Sequence, residues 1–247
     1  MIDLKNTDAL TLLSTIADNT VDLVLTDPPY VISKESGMQA CRDNNIPNQN
    51  LAVQTDFGDW DKNFSMDEFQ QIIIQLFRVL KKGGTIIVFF DIWKLSLLKE
   101  LLEIAGFKQL RFIEWIKTNP VPINSKINYL TNAREIALTA VKSGKGTFNS
   151  EYDNGIYEFA IHQGKKGDRI HPTQKSLLLF QELIKKHSNQ GETVLDCFSG
   201  SGTTAIAAKT LDRNFIGSEL NEQFFKSSLL RIEKFQKIEF TNSIMVF

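Results

Sequence analysis

Residues 193–204 read TVLDCFSGSGTT, an apolar run followed by a glycine-rich turn and two threonines. This order predicts a buried strand, a tight turn and the start of a helix. Gly200 and Gly202 permit positive φ and let a ligand approach the main chain closely. Free N–H groups at the helix start favour a negative group such as a carboxylate. The stretch has neither the Gly-Lys-Ser/Thr of a P-loop nor the spacing G-x-G-x-x-G, so it predicts either another kind of ligand site or a tight turn without a ligand.

Glu219 follows a second predicted strand, NFIGS (214–218). In doubly wound folds, a carboxylate at this position binds the hydroxyl pair of a ribose. The alternative is that Glu219, together with Asn221, is a charge at the start of the next helix. Phe198 places an aromatic ring beside the glycine-rich turn, which suits a flat or sulfonium-bearing ligand. The turn and Glu219 together predict a nucleoside-type cofactor.

Strand-like apolar runs alternate with helical periods along the whole chain. The predicted strands are 21–26, 85–90, 107–118, 136–143, 193–197 and 214–218, and the predicted helices are 67–80, 94–105, 175–187, one that starts near 202, and 221–237. Gly83 and Gly84 are predicted to end the first of these helices. The alternation predicts an α/β fold with a doubly wound, mostly parallel sheet. The consecutive strands 107–118 and 136–143 predict an antiparallel pair at one edge of that sheet.

Length and composition restrict the class of protein. The 247 residues are enough for one large α/β domain, and 42% hydrophobic with 23% charged residues is typical of a globular protein. No apolar run approaches the ~18 residues of a membrane span, and the first ten residues, MIDLKNTDAL, do not resemble a signal peptide. Two cysteines and three histidines show no disulfide framework or metal-ligand spacing. We therefore expect a cytoplasmic, single-domain protein without a metal.

Charge is distributed unevenly along the chain. The net charge is −1, but residues 1–80 carry −7 and residues 108–176 carry +5. The basic segment is either a solvated face or the surface that meets an anionic partner. Two long irregular regions, 31–62 and 119–170, are expected to be functional or disordered because loops of that length are uncommon in compact domains.

The turn TDPPY (26–30) follows the first buried strand. Two prolines restrict φ at consecutive positions and remove two N–H donors, so the Pro28 carbonyl is rigidly aimed. Asp27 presents an acceptor at the carboxyl end of the strand, where open α/β sheets bind ligands, and Tyr30 adds a ring. Two acceptors and a stacking surface suit a planar ring that bears an amino group. The alternative is an ordinary turn with Tyr30 in the core.

These motifs resemble those of the DNA amino-methyltransferases, which methylate N6 of adenine or N4 of cytosine. TDPPY (26–30) precedes LDCFSGSGTT (195–204), which is the motif order of the family's β group. HPTQKS (171–176) is similar to the family's HPTxKP segment, with Ser176 in place of the usual proline. The dipeptide DA (8–9) matches a short element that reaches the cofactor adenine. The resemblance covers nearly the whole chain and implies a Rossmann-like fold that uses S-adenosylmethionine.

The resemblance implies a role for each matching residue. Asp27 and the Pro28 carbonyl accept hydrogen bonds from the target amino group, Pro29 completes the turn, and Tyr30 stacks on the flipped base. The residues implied at S-adenosylmethionine are Asp8 and Ala9 at its adenine, Glu219 at its ribose, Thr173 and Lys175 at its methionine end with His171 and Pro172 shaping that turn, and Asp196, Phe198, Ser199, Gly200, Ser201, Gly202, Thr203, Thr204 and Asn221 around the glycine-rich loop.

The implied reaction is methylation of N6 of adenine in double-stranded DNA, by the modification enzyme of a restriction–modification system. Methylation of N4 of cytosine is the alternative, although those enzymes more often have serine in place of Asp27. An RNA or protein-glutamine methyltransferase would more often have asparagine there, and a regulatory nucleotide-binding protein would not need the intact turn. A C5-cytosine enzyme needs a nucleophilic cysteine after proline, whereas Cys41 follows Ala40 and Cys197 follows Asp196.

The segment 119–170 is implied as an inserted target-recognition region, since it is basic, loop-rich and lies between the two motifs. The candidates for contact with DNA are Lys117, Lys126, Arg134, Lys142, Lys145, Lys165, Lys166 and Arg169, although any of them could be a solvated charge. The 31–62 loop is expected to be mobile and to close over the flipped base. Members of the family's β group often dimerise, so the resemblance also implies a homodimer. A DNA substrate implies a location near the nucleoid.

Overall fold

An eight-stranded sheet runs through the centre of the molecule in the order β1-β8-β7-β2-β3-β5-β4-β6. The computed structural model describes residues 1–29, 64–121, 130–161 and 174–235. The strands are β1 (Ile2–Lys5), β2 (Val21–Thr26), β3 (Leu80–Phe90), β4 (Lys108–Lys117), β5 (Arg134–Val141), β6 (Ile156–Phe159), β7 (Thr193–Asp196) and β8 (Asn214–Ser218). The helices in these ranges are α1 (Ala9–Ser14), α2 (Met66–Val79), α3 (Leu95–Ala105), α4 (Leu177–His187), α5 (Thr203–Thr210) and α6 (Glu222–Lys234), with a 3-10 turn at Ile92–Lys94.

The sheet is mostly parallel, as the alternation of strands and helices predicts. Strands β1, β8, β7, β2 and β3 pair in parallel, whereas β5 is antiparallel to both β3 and β4. The antiparallel pair is confirmed, but it does not form the edge of the sheet, because β6 pairs in parallel with β4 outside it. Strands β1 and β6 have four residues each, which is too short for a clear alternation in the sequence.

The segment 119–170, interpreted from the sequence as an inserted region, contains two strands of the central sheet. Within it, β5 lies between β3 and β4, and β6 extends the same sheet. The segment therefore contributes two strands to the central sheet, and a separate recognition insert is limited to the connections around them. The physical reason is that β5 is apolar from Ile136 to Val141 apart from Thr139, so this part of the strand is covered on both faces.

Helices cover the sheet on both faces and divide the core into two layers. Val24, Ile86 and Val88 contribute to the layer beneath α1, α2 and α3. The alternate residues Leu23 and Ile87 contribute to the layer beneath α4, α5 and α6. This alternation follows from the two-residue period of a strand, and the helices on both sides explain why the central strands carry apolar residues on both faces.

The helix α2 shows how local sequence sets an element. Ser65 accepts a hydrogen bond from the Glu68 N–H at 3.1 Å, which satisfies one free donor at the helix start. Phe69, Ile72 and Leu76 then form the buried stripe that packs on the sheet. None of the helices in the described ranges is long and apolar enough to cross a bilayer.

The prediction that Gly83 and Gly84 end this helix is wrong. The helix ends at Val79, and both glycines lie inside β3. Gly83 has φ +81°, its N–H donates to the Lys142 carbonyl at 2.9 Å, and a Cβ there would lie 2.8 Å from the Lys145 carbonyl oxygen. The glycines therefore permit the close approach of two backbones.

The site end of the sheet, defined as the end where β2 and β7 terminate, lies at a topological switch point. Strands β2 and β7 are neighbours, with Leu23 opposite Val194 and Val24 opposite Leu195. From β2 the chain continues through α2 to β3 on one side, and from β7 it continues through α5 to β8 on the other. Connections that leave in opposite directions open a crevice at the carboxyl ends of the two strands, which is where such folds bind ligands.

Candidate active site

The two predicted turns meet at this crevice. Thr26, the last residue of β2, donates a hydrogen bond from its hydroxyl to the carboxylate of Asp196, the last residue of β7, at 2.8 Å. Asp27 and Pro29 are half-buried and Pro28 is buried. The strand pairing and this side-chain bond therefore hold the TDPP segment against the glycine-rich loop.

Asp196 is a buried connector between the two turns. One carboxylate oxygen accepts from Thr26 and from the Phe198 N–H at 3.1 Å, and the other accepts from the Thr204 hydroxyl at 2.5 Å. Burial raises the pKa of Asp196 to about 6, against the opposing effect of these hydrogen bonds. Its oxygens are bonded to protein groups, so the structure gives Asp196 a part in shaping the loop.

Glu219 follows β8 and braces the same loop. Its carboxylate accepts from the Gly200 N–H at 2.8 Å and from the Asn221 N–H at 2.8 Å. Burial raises the pKa of Glu219, and the backbone hydrogen bonds oppose that rise. A carboxylate in contact with the glycine-rich turn has the position that a ribose-binding acid needs.

Arg231 on α6 supports the far side of the loop. Its guanidinium donates to the Ser201 carbonyl at 2.8 Å and to the Thr203 hydroxyl at 3.1 Å. Gly202 has φ +73°, and a Cβ there would lie 3.2 Å from Ser228 on the same helix. The buried side chains of Ser201, Thr203 and Thr204 are therefore occupied within the protein, and they hold the backbone of the loop in shape.

Ser199 behaves differently from its neighbours. Its hydroxyl is buried and, among the described residues, it has no hydrogen-bond partner. A buried polar group without a partner costs about 1–3 kcal/mol, which a polar ligand in the loop would recover. Next to it, Phe198 is half-buried with its ring 5.6 Å from that of Phe64. These two residues fit a cofactor that has both polar groups and a flat or apolar part.

The predicted adenine contact lies beside Glu219. The Asn6 side chain donates to the Glu219 carbonyl at 2.7 Å, which brings the β1–α1 turn to the end of β8. Asp8 begins α1 by accepting from the Thr11 N–H at 2.8 Å; burial raises its pKa, but the hydrogen bonds outweigh burial and leave it below the usual value. Ala9 is buried on the first turn of α1.

Asn221 is placed at a helix start. Its side-chain oxygen accepts from the Gln223 and Phe224 N–H groups at 2.9 and 3.1 Å, so it begins α6. This role agrees with the alternative interpretation of Asn221 as a helix-start residue. Any contact with a cofactor would come from its other atoms.

A row of four charges crosses the site end of the sheet. The Lys175 ammonium lies 3.0 Å from the Asp27 carboxylate and also binds the carboxylate of Glu135, which in turn lies 2.8 Å from the Lys117 ammonium. Burial raises the pKa of Glu135, but the two lysines outweigh burial and hold it below the usual value. We call Lys117, Glu135, Lys175 and Asp27 the charge row. It sets Lys175 directly against the predicted catalytic turn.

The predicted DNA contacts divide between the two ends of the sheet. Arg134 begins β5 at the site end, where its side chain is 67% exposed beside Glu114. Because β5 runs antiparallel to β3, Lys142 and Lys145 lie at the opposite end. The Lys142 ammonium donates there to the carbonyl of Leu80 at 2.8 Å and to that of Arg78.

Three of the DNA-contact candidates do not lie exposed at the site end. Lys142 donates hydrogen bonds to backbone carbonyls of the protein. Lys145 is exposed but lies at the far end of the sheet. The Lys117 side chain is part of the charge row and is only 13% exposed. We leave these three out of the DNA-binding surface, whereas Arg134 stays in it. The remaining predicted residues lie outside the described ranges: Tyr30, Lys126, Lys165, Lys166, Arg169, His171, Pro172, Thr173 and the 31–62 loop.

Three residues at the site were missed by the sequence interpretation: Thr26, Glu135 and Arg231. Thr26 had a signal, because it is part of TDPPY and ends a buried strand. Glu135 and Arg231 have no motif around them, and their contacts join strands and helices far apart in the sequence. Within the described ranges, no group of three or more histidine, cysteine, aspartate or glutamate residues is arranged to hold a metal ion.

The mostly parallel, doubly wound sheet with its antiparallel strand is the fold of the S-adenosylmethionine-dependent methyltransferases. The model of the DNA methylase family, which covers N6 and N4 amino-methyltransferases, matches residues 21–230. The chain belongs to this family, it is a DNA amino-methyltransferase of the β group, and its cofactor is S-adenosylmethionine.

Individual relatives agree with the family. The type II methyltransferase M2.LlaDCHI of Lactococcus lactis subsp. cremoris is 35% identical, over 94% of this chain and 89% of the relative. The type II methyltransferase M2.DpnII of Streptococcus pneumoniae is 32% identical, over 93% and 89%. Among solved structures, the M1.HpyAVI–SAM complex is 29% identical with a TM-score of 0.70, over 94% of this chain and 99% of that one. The cytosine-N4-specific PvuII DNA methyltransferase shares the fold at 16% identity, with a TM-score of 0.70, over 96% and 88%.

Proposed function

We propose that this methyltransferase modifies N6 of adenine at a specific site in double-stranded DNA. The observation that carries the proposal is the half-buried Asp27 on its proline-restricted turn, held against the cofactor loop through Thr26 and Asp196. An aspartate at the first position of this turn favours adenine over cytosine. M2.LlaDCHI and M2.DpnII are named as type II methyltransferases, which supports a modification enzyme of a restriction–modification system.

The chemistry of an exocyclic amine explains the proposed role of the turn. The amine is a poor nucleophile because its lone pair is delocalised into the ring. The Asp27 carboxylate and the Pro28 carbonyl accept hydrogen bonds from its two N–H groups, which favours the sp3-like geometry of attack and stabilises the positive charge that develops. S-adenosylmethionine, when bound, supplies the electrophilic methyl group. The two proline-restricted residues hold the acceptors in place before reaction, and positioning then accounts for much of the rate gain.

The cofactor residues retain their proposed roles where the geometry supports them. Glu219, in contact with the Gly200 N–H, binds the ribose hydroxyls. Asp8 and Ala9 border the cofactor adenine. The hydrogen bond from the Asn6 side chain to the Glu219 carbonyl brings their turn close to Glu219. The Ser199 hydroxyl, buried in the loop, binds a polar group of the cofactor.

Several further roles rest on the resemblance. We propose that Tyr30 stacks on the flipped base, that His171, Pro172, Thr173 and Lys175 border the methionine end, and that the 31–62 loop closes over the base. Lys126, Lys165, Lys166 and Arg169, with Arg134, form the proposed DNA-binding surface. A homodimer and a location at the nucleoid stay predictions, and light scattering of the purified protein at working concentration tests the first.

One experiment decides the base, the site and the strand together. The protein is expressed in a bacterial host that lacks DNA methylation, and the genome of that host is sequenced for modified bases. N6-methyladenine at one short sequence supports the proposal. N4-methylcytosine would establish the alternative, and an unmodified genome, despite soluble protein that binds S-adenosylmethionine, would contradict both.

A further inference from the structure

Glu135 is linked to the proposed catalytic residue Asp27 through two successive ion pairs, both made by Lys175. We propose that Glu135 is a positioning residue for methyl transfer and acts on Asp27 through Lys175. The proposal deepens the proposed role of Asp27 and rests on it. No motif of the resemblance includes Glu135, and the contacts of the charge row alone point to it.

The geometry of the charge row makes this coupling direct. Lys175 has one ammonium group, which binds Asp27 at 3.0 Å and Glu135 at the same time. Lysine is a flexible chain with a compact charge, so a single carboxylate does not restrict where its ammonium lies. A second carboxylate bound to the same ammonium does. The Lys175 side chain is only 8% exposed, so water competes poorly with either partner.

The sheet provides a rigid support for the row. Glu135 lies near the start of β5, with Trp115 of β4 opposite it, while Lys117 ends β4. The Lys175 ammonium lies 5.3 Å above the ring of Phe89 on β3, the strand between β2 and β5. The row therefore spans from β4 to β2 across paired strands, and Glu135 cannot drift relative to Asp27 without disturbing the sheet.

Lys117 also contributes to the charge row, because its positive charge helps to balance the two carboxylates. The four side chains are between 8% and 21% exposed, and the row contains two cations and two anions. Without the Glu135 charge, two ammonium groups would face each other across a neutral side chain, with Asp27 as the only anion of the row. Repulsion would then displace Lys175, and the Asp27 carboxylate would lose its contact with that ammonium.

The effect should appear in the chemical step. A misplacement of ~1 Å at a reacting group can lower the rate about 100-fold. Glu135 is not among the residues proposed to bind the cofactor or DNA. Its removal should therefore lower kcat at saturating S-adenosylmethionine and leave the KM for DNA nearly unchanged, whereas a merely structural role would change stability alone.

The first test is Glu135→Gln, which keeps the shape and removes the charge. We expect kcat at saturating S-adenosylmethionine to fall at least about tenfold, with the KM for DNA changed less than about twofold. The matched control is Asp22→Asn at the other end of β2. Asp22 is 13% exposed, pairs with Lys81 at 2.7 Å and accepts from the Thr193 N–H, so its substitution breaks a comparable ion pair away from the site. A kcat for Glu135→Gln equal to that of the Asp22→Asn control would overturn the proposal.

A double-mutant cycle tests the route through Lys175. Lys175→Met is measured alone and combined with Glu135→Gln, at saturating S-adenosylmethionine. If Glu135 acts through Lys175, adding Glu135→Gln to Lys175→Met causes little further decrease in kcat. Decreases that multiply would show that Glu135 acts independently and would overturn the proposal.

Two further variants keep the result interpretable. If Glu135→Gln does not fold, Glu135→Asp retains the charge on a shorter chain and should give an intermediate kcat, while wild-type turnover in that variant would count against positioning. Asp27→Ala separates the proposals. If it retains turnover, the proposed role of Asp27 fails as well; if it is inactive while Glu135→Gln is fully active, only the role of Glu135 fails.

Discussion

Single side chains at the site divide into those that shape the loop and those that face the crevice. Asp196 and Thr204 bond to each other and are buried. Ser199 lies between them in the same motif, and its buried hydroxyl has no partner among the described residues. Polar residues of one motif therefore have different tasks, and the task depends on which partners the fold provides.

The first residue-scale prediction concerns Asp27. Asp27→Ala should abolish detectable methyl transfer to DNA, because it removes an acceptor needed at the transition state, an effect on the order of 2–4 kcal/mol or more. Binding of S-adenosylmethionine should be largely retained. Transfer of labelled methyl groups and calorimetry of cofactor binding measure the two effects separately. Near wild-type turnover would mean that another group receives the target amine.

The second residue-scale prediction concerns Glu219. Glu219→Ala should weaken S-adenosylmethionine binding by roughly 1–3 kcal/mol, because the ribose hydroxyls and the Gly200 N–H no longer have their acceptor. Glu222→Ala is the matched control, since Glu222 is exposed and pairs with Lys226 on α6. Calorimetry should show a change for Glu219 alone. Equal affinities in both variants would place Glu219 outside the cofactor site.

At the scale of elements, α4 contains a buried titratable group in its last turn. His187 is buried, with its ring 5.3 Å from that of Phe148. Burial lowers its pKa to about 4, although Asp153 opposes the shift. The folded protein therefore keeps His187 neutral at a pH where an unfolded chain, with a histidine pKa of about 6.5, binds a proton.

This difference predicts a decrease of stability in acid. As pH falls from about 6.5 towards about 4, only the unfolded state gains the His187 proton, so the free energy of unfolding falls, by an amount on the order of 3 kcal/mol. His187→Phe should lack this component. Urea unfolding of both proteins at several pH values measures it, and the difference cancels contributions from shared groups such as Asp196. If the free energies of unfolding of the two proteins changed equally with pH, His187 would have the same pKa in the folded and unfolded states.

At the scale of the whole molecule, the direction of β5 decides which basic residues can reach DNA at the active site. Arg134 is the first residue of β5 and lies beside the charge row. Lys142 follows the last residue of β5 and lies at the opposite end of the sheet. A basic segment in the sequence is therefore not one basic face. The proposed DNA-binding surface therefore combines Arg134 at the site end with Lys126, Lys165, Lys166 and Arg169, which lie outside the described residues.

A prediction at this scale concerns salt. Neutralising Lys165, Lys166 and Arg169 together should weaken DNA binding, because each phosphate that a cation meets releases counterions. The log–log salt slope should become shallower by about 0.9 for each phosphate that is no longer neutralised. S-adenosylmethionine affinity should not change. DNA binding measured over a series of salt concentrations gives the slope.

The control for this prediction removes the same charge elsewhere. Lys99, Lys226 and Lys234 are exposed on α3 and α6, and neutralising them together should leave the salt slope unchanged. Equal slopes in the recognition variant and the parent would mean that its three residues are solvated. Recognition would then belong to the 31–62 loop or to a partner subunit.

Much of the fold and the two central motifs could be predicted because their signals are local. The apolar run before each turn specifies a buried strand, prolines restrict the TDPP turn, and glycines open the loop after β7. These features depend on residues within a few positions of one another. Doubly wound sheets bind ligands at the carboxyl ends of neighbouring parallel strands, so the sequence by itself places both motifs at the same end of the sheet.

The tertiary structure alone decided where the charges lie. Glu135, Lys117 and Lys175 are separated by 18 to 58 residues in the sequence, and no spacing rule links them. They meet because β5 enters the sheet antiparallel between β3 and β4, which places the start of one strand beside the end of another. The same reversal puts Lys142 at the far end. The ammonium group of a lysine can be solvated, form an ion pair or contact a phosphate. Its neighbours in the folded structure decide which of these interactions it makes.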